Sequence, residues 1–216
     1  MRILAVDTAL GACSVALVDD GRVLAHHWEL MDRGHAEALA PMVERTVAES
    51  PVALGNLDRL AVTVGPGTFT GQRVGLSFMR GLRLALRRPL TGITTLAAMA
   101  EGAKADTGLP VAVGLHDARR DEVYIEIEKV LAPSVLPLDE AVAVLRRLDG
   151  EHPIALAGTA AIRVCDALSD RFVLSRVRQP DALWVAKLAA GASPTEEVPR
   201  PLYLRAPDAR PPGKMP

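Results

Sequence analysis

The sequence predicts an α/β protein built from two related halves. Three observations carry this. Aliphatic, strand-like runs alternate with segments of helical spacing; the succession strand, aspartate, tight turn, strand occurs twice, at "VDTALGACSVAL" and "HDARRDEVYIEI"; and the polar, turn-rich "ADTGLP" stands between the two occurrences. The expected division is 1–107 for the first domain, 108–192 for a second, degenerate one, and 193–216 for a Pro-rich tail.

In chain order, "RILAVDT", "ACSVALVDD" and "RVLAHHWEL" read as three antiparallel strands. The last two are joined at Asp20-Gly21, a pair suited to a two-residue type I′ turn. From Gly34 to about Glu49 the spacing becomes helical, with Ala38, Leu39, Met42, Val43 and Val47 on one stripe and Pro41 as a candidate kink. "RLAVTVG" is a strand, 70–87 a helix, "LTGI" a short strand and 94–104 a helix, so the first half runs βββαβα(β)α. The second half restarts with strands at "VAVGLHD" and "EVYIEIEKV". It continues with helix "LDEAVAVLRRL", strand "PIALAG", helix "AAIRVCDAL", strand "RFVLSRV" and helix "DALWVAKLAAG". No element is assigned to the Pro-containing 131–137. The tail is expected to be irregular, with "LYLR" docking back on the body.

Composition narrows the function. A chain of 216 residues that is 49% hydrophobic can bury a sizeable core, and with 3% aromatics that core must be aliphatic. So few aromatics exclude rows of base-stacking side chains, and a net charge of −1 argues against a free-standing nucleic-acid binder. Cys13 and Cys165 lie in apolar runs without metal-ligand spacing, so two reduced thiols are expected. The N-terminus meets Asp7 too early for a signal-peptide core, and no apolar run is long enough for a membrane span; a cytoplasmic, soluble protein is expected.

The segment "GPGTFTGQRVG" at 65–75 follows a strand and opens a helix, as phosphate-binding loops do. It lacks the lysine of a Walker loop, because Gln72 and Arg73 follow Gly71, and Thr70 stands where the Rossmann spacing needs its third glycine. A tight strand-to-helix turn with a capping threonine accounts for the letters; an anion at the helix start is the sharper alternative. The helix that follows is apolar over more of its circumference than one core stripe needs, and Gly75 and Gly81 admit close approach. A partner surface is therefore expected on the first-domain helices, drawn from His35, Leu39, Met42, Val74, Phe78, Met79 and Leu82. His35 has no second ligand at i+4, so it reads as structural and no metal site is assigned.

Asp7 and Asp117 each close a strand where a kinase-like enzyme would hold magnesium and phosphates. The first turn, "TALG", is small; the second, "ARRD", is bulky and charged, which leaves little room for phosphate. No positioned nucleophile signature occurs around Ser14, Ser77 or Cys13. The adjacent His26 and His27 must point to opposite faces of their strand. Arg80, Arg83, Arg87 and Arg88 form a basic helix face, either solvated or approached by RNA.

"MRILAVDTALGACSVAL", "GPGTFTGQRVG", "HDARRDEVY" and "PLYLR" together resemble the bacterial TsaB (YeaZ) family over nearly the whole chain, most densely in residues 1–125. The family pattern is usually GPGSFTGLRxG and DARxxEVY; this sequence departs with Gln72 for leucine and His116 for an apolar residue. The resemblance implies an actin-like (ASKHA) fold and a non-catalytic role in making threonylcarbamoyladenosine beside the anticodon of tRNA. It implies as partners a catalytic paralogue, TsaD, whose HxxxH is absent from "HAEALAP" here, and an ATPase, TsaE. It also implies self-pairing when the chain is alone, only indirect contact with tRNA, and no cofactor of its own, ATP being used by the assembly. A residual small-molecule kinase, a glycoprotease-like peptidase and a purely homodimeric scaffold stay open as alternatives.

Overall fold

The computed structural model describes residues 1–150, 152–193 and 197–205. Its first half contains β1 (Arg2–Asp7), β2 (Ala12–Asp19), β3 (Arg22–Leu30), α1 (His35–Ala48), β4 (Arg59–Gly65), α2 (Phe69–Leu86), β5 (Leu90–Thr94) and α3 (Thr95–Thr107). The expected order is met. Asp20 and Gly21 both have positive φ, as a type I′ turn requires, and Asp19 pairs with Arg22 across it. Pro41 is accommodated inside α1.

The second half contains β6 (Ala112–Arg119), β7 (Glu122–Ile127), β8 (Leu131–Pro137), α4 (Leu138–Arg146), β9 (Ile154–Ala157), α5 (Ala161–Cys165), β10 (Phe172–Leu174) and α6 (Ala182–Gly191). The sheet orders are β3-β2-β1-β4-β5 and β8-β7-β6-β9-β10, so the halves are topological copies. Strand β8 is an addition to the sequence reading. It forms a sheet edge, where the missing N–H of Pro133 costs no ladder bond. The copy is reduced: α5 has 5 residues where α2 has 18.

Each sheet is covered on both faces. On one side of the first, Leu39, Met42 and Val43 of α1 and Leu76 and Met79 of α2 pack on Leu4, Val15, Leu17, Leu60 and Val62. The opposite side is alanine-rich, and there α6 brings Ala182, Val185, Ala186 and Ala189 against Ile3, Ala5, Ala16 and Ala61. Helix α6 follows the second sheet in the chain but lies on the first. Buried Arg59 fastens it, donating to the carbonyls of Ala189 and Ala192 where the helix ends. Helix α3 lies between the sheets, with Leu96, Met99 and Ala103 meeting Ala112, Ala155 and Ala157.

Of the tail, 194–196 and 206–216 fall outside the described residues. The described part docks as expected for "LYLR": Leu202 N–H donates to the Val64 carbonyl at 2.7 Å, and Tyr203 stacks on Phe69. Arg73 lies 3.4 Å over the Phe69 ring and its Nε donates to the Tyr203 hydroxyl. Arg205 reaches the second half, donating to the Ala118 carbonyl and pairing with Glu122.

Candidate functional site

The glycine loop and the first hairpin turn are built against each other. Thr68 N–H donates to the Ala9 carbonyl at 2.8 Å, the Thr8 hydroxyl donates to the Gly71 carbonyl, and Gly75 N–H donates to that hydroxyl. A Cβ on Gly67 would lie 2.4 Å from the Ala9 oxygen, and one on Gly71 2.2 Å from the Thr8 oxygen. These glycines exist because backbone meets backbone there. Thr68 caps α2 by accepting from Gly71 N–H. The space that a phosphate would need is filled by the chain's own turn.

Asp7 is wholly buried. Its Oδ1 accepts from the Thr63 hydroxyl and from Ala9 N–H, while Oδ2 has no partner among the described residues. Burial pushes its pKa up to about 7, against the lowering pull of the Thr63 and Ala9 hydrogen bonds. Asp117, its counterpart, makes the same turn bond, accepting from Arg119 N–H at 2.8 Å, and Arg163 lies 3.9 Å away. Here Arg119, Arg120 and Asp121 all adopt positive φ, a run that costs on the order of 1–2 kcal/mol per residue. Beside it, His116 Nδ1 and the Thr159 hydroxyl share a hydrogen bond, and the hydroxyl oxygen accepts from Asp117 N–H. Burial pushes His116 down to about 4, so it is neutral. A magnesium nucleotide does not fit these residues: one carboxyl is sealed in the core, and the facing turn is bulky.

The expected partner residues separate into three groups. Leu39, Met42 and Met79 are corrected: they are buried in the core of the first half, Met79 with no exposure, because they occupy the stripe of each helix that faces the sheet. His35 is structural, its Nε2 donating to the Leu10 carbonyl at 2.9 Å. Val74, Phe78 and Leu82 are half-buried on the flank of α2. Gly75 also has an internal reason, since a Cβ would come 2.7 Å from the Thr8 hydroxyl, whereas a Cβ on Gly81 would meet nothing within 4 Å among the described residues. His26 and His27 diverge as expected, to Asp181 and to Glu49.

Sequence reasoning did not find two features. One is the Oε1 of buried Gln72, which has no hydrogen-bond partner among the described residues. The other is the division of α2 into two flanks. At 100° per residue, Val74, Phe78 and Leu82 lie on one flank, and Phe69, Arg73, Arg80 and Leu84 on the other. The helical spacing of the arginines gives a basic face on this helix, but not that Phe69 and Leu84 share it, apart from Val74, Phe78 and Leu82.

Two topological copies of one βββαβαβα unit, with Asp7 and Asp117 at corresponding strand ends, define the actin-like class of α/β proteins. Component A of (R)-2-hydroxyglutaryl-CoA dehydratase from Acidaminococcus fermentans shares this fold at 10% identity (TM-score 0.52, 88% of this chain and 99% of that one). YeaZ from Pseudomonas aeruginosa is far more similar, with a TM-score of 0.79 and 32% identity over 94% of this chain and 99% of that one. Residues 27–149 match the family model described as "TsaD: tRNA N6-adenosine threonylcarbamoyltransferase". The Escherichia coli tRNA threonylcarbamoyladenosine biosynthesis protein TsaB is 45% identical over 124 residues, 57% of this chain and 53% of that protein. The chain spans about half the length of the curated TsaB relatives it matches. The chain belongs to the TsaB (YeaZ) family.

Proposed function

We propose that this chain is the accessory, non-catalytic subunit of tRNA threonylcarbamoyladenosine biosynthesis, and that α1 and α2 dock a TsaD-like paralogue. The names of its relatives support the process. The observation that carries the docking face is Gly81. Glycine inside a helix costs about 1 kcal/mol relative to alanine, and among the described residues no atom lies near enough to require it. Around it the solvent side is small, with Ser77 and Ala85 on α2 and Ala36 and Ala40 on α1, and half-buried Val74, Phe78 and Leu82 border it. Such a surface lets another helix pair approach closely. The sealed Asp7 and the charged Arg120-Asp121 turn support the absence of catalysis by this chain. A second copy would occupy the same face when no paralogue is present, and a TsaE-like ATPase would join the assembly, in the cytoplasm.

The test is reconstitution of modification with a TsaD-like paralogue and a TsaE-like ATPase, with and without this chain. Threonylcarbamoyladenosine should form only when the chain is present. Leu82→Glu and Phe78→Glu should remain folded yet lose both association and modification, because a desolvated unpaired charge costs several kcal/mol, roughly 100-fold or more in affinity. Met79→Glu should fail to fold. Full modification without the chain, or unchanged co-sedimentation of both flank variants, would sink the proposal.

A further inference from the structure

The second flank of α2 carries a different chemistry. Between Asp58 and Glu101 lie 42 residues with six arginines and no acidic residue, so these cations are balanced elsewhere in a chain whose net charge is −1. Three of the six, Arg73, Arg80 and Arg83, lie on α2, and Arg87 and Arg88 follow it. The returning tail adds a further cation: Arg80, Arg83 and Arg200, with Leu84 and Val198, line a groove of about 410 Å³, and no carboxylate is among the described residues lining it.

The groove is held open by its own bonds. Arg80 is fixed by donating to the Pro199 carbonyl of the tail, which leaves Val198 and Arg200 facing the helix. Arg83, half-buried, lines the groove beside it. Neither Arg83 nor Arg200 has a hydrogen bond or ion pair among the described residues. Arg80, Arg83 and Arg87 recur about once per helical turn, a rise of roughly 5 Å between successive cations. A row of that kind suits a linear polyanion whose charges repeat along it. Guanidinium groups pair bidentately with phosphate oxygens. With 3% aromatics, base stacking contributes little, so the groove meets backbone rather than bases.

We propose that the groove formed by Arg80, Arg83 and Arg200, extended by Arg87, binds the phosphate backbone of RNA. This rests on the reading that the assembly acts on tRNA, and it has this chain touch that substrate directly. Arg80 is two residues from both Phe78 and Leu82, which places it about 200° and 160° around the helix from them. A paralogue docked on the first flank therefore leaves the groove open.

The experiment is fluorescence anisotropy of a labelled tRNA transcript titrated with the full chain, alone and in its reconstituted complex, from about 50 to 200 mM salt. The groove variant is Arg83→Gln with Arg200→Gln; the reference is Arg33→Gln with Arg147→Gln, which removes the same charge from exposed sites elsewhere. Circular dichroism checks that both fold. Wild type and reference should bind alike. The groove variant should bind on the order of 10-fold or more weakly, with a salt slope lower by about one for each phosphate it no longer engages. The proposal is overturned by equal weakening in both variants, by unchanged binding of the groove variant, or by no tRNA binding of the wild type up to about 100 μM in either form. Groove-dependent binding of polyglutamate in preference to tRNA also overturns it, in favour of an acidic protein partner. Binding is read without modification. Failure here leaves the subunit role standing, and modification that proceeds without the chain leaves the groove standing.

Discussion

Replacing Asp7 by asparagine should stabilise the protein, increasingly as pH rises from about 4 to 7. The carboxyl has a pKa of 3.8 ordinarily and about 7 inside the fold, where burial disfavours its charge. The folded state therefore holds the proton more tightly than the unfolded chain. That contribution is fully favourable below about 3.8 and is lost as pH rises through 7. At about 1.4 kcal/mol per pK unit, the loss at pH 8 and above is on the order of 4 kcal/mol. Asparagine keeps an oxygen for Thr63 and Ala9, and its amide takes the place of the partnerless Oδ2. It thus reproduces the protonated acid at every pH. Buried His116 and Glu126 also titrate differently in the fold, but they are common to both proteins and cancel in the difference. Urea unfolding followed by circular dichroism at pH 5, 6, 7 and 8 should show the asparagine variant ahead by about 1–2 kcal/mol at pH 5, about 3 at pH 6 and about 4 at pH 7, with little further change at pH 8. Parallel stability curves across that range would refute the reasoning.

Gln72→Leu should raise stability by about 1–2 kcal/mol, since it removes a buried oxygen without a partner, and raise Tm by about 2–8 °C; a lower Tm would count against that account. Gly67→Ala should cost on the order of 1–3 kcal/mol, because the Ala9 carbonyl that its Cβ meets at 2.4 Å belongs to backbone and yields poorly, so an unchanged urea midpoint would contradict it. Thiol titration should find both cysteines free after denaturation. In the native protein half-exposed Cys165 should react well before Cys13, which is buried and has its thiol pushed up to about 12.

Much of the fold was legible because its signals are local. Asp20-Gly21 prescribes one turn type, and Leu39, Met42 and Val43 mark one stripe of α1. The duplication shows in Asp7 and Asp117 standing at equivalent strand ends. Strand β8 was illegible because Pro133 and Pro137 read as breakers, and only its edge position makes them harmless. The proposed docking face was half legible. Periodicity revealed that α2 is apolar on more than one side, but Met79 and Leu82, both apolar, differ only in which of them the sheet covers. The reasons for Gly67, Gly71 and Gly75 lie in Thr8 and Ala9, about sixty residues away, and spacing cannot report such a meeting of backbones.

The position of α6 constrains how the molecule is made. Its alanines complete the face of the first sheet around Ile3, Ala5 and Ala16, yet they are encoded after the whole second sheet. A nascent chain that has delivered everything through α3 still lacks this cover until more than eighty further residues have been added. At about 5–20 residues per second the ribosome takes roughly 4–17 s over them. Throughout that interval an aliphatic surface from the first strands stays unsealed, so the first half can finish folding only after the second sheet has been made.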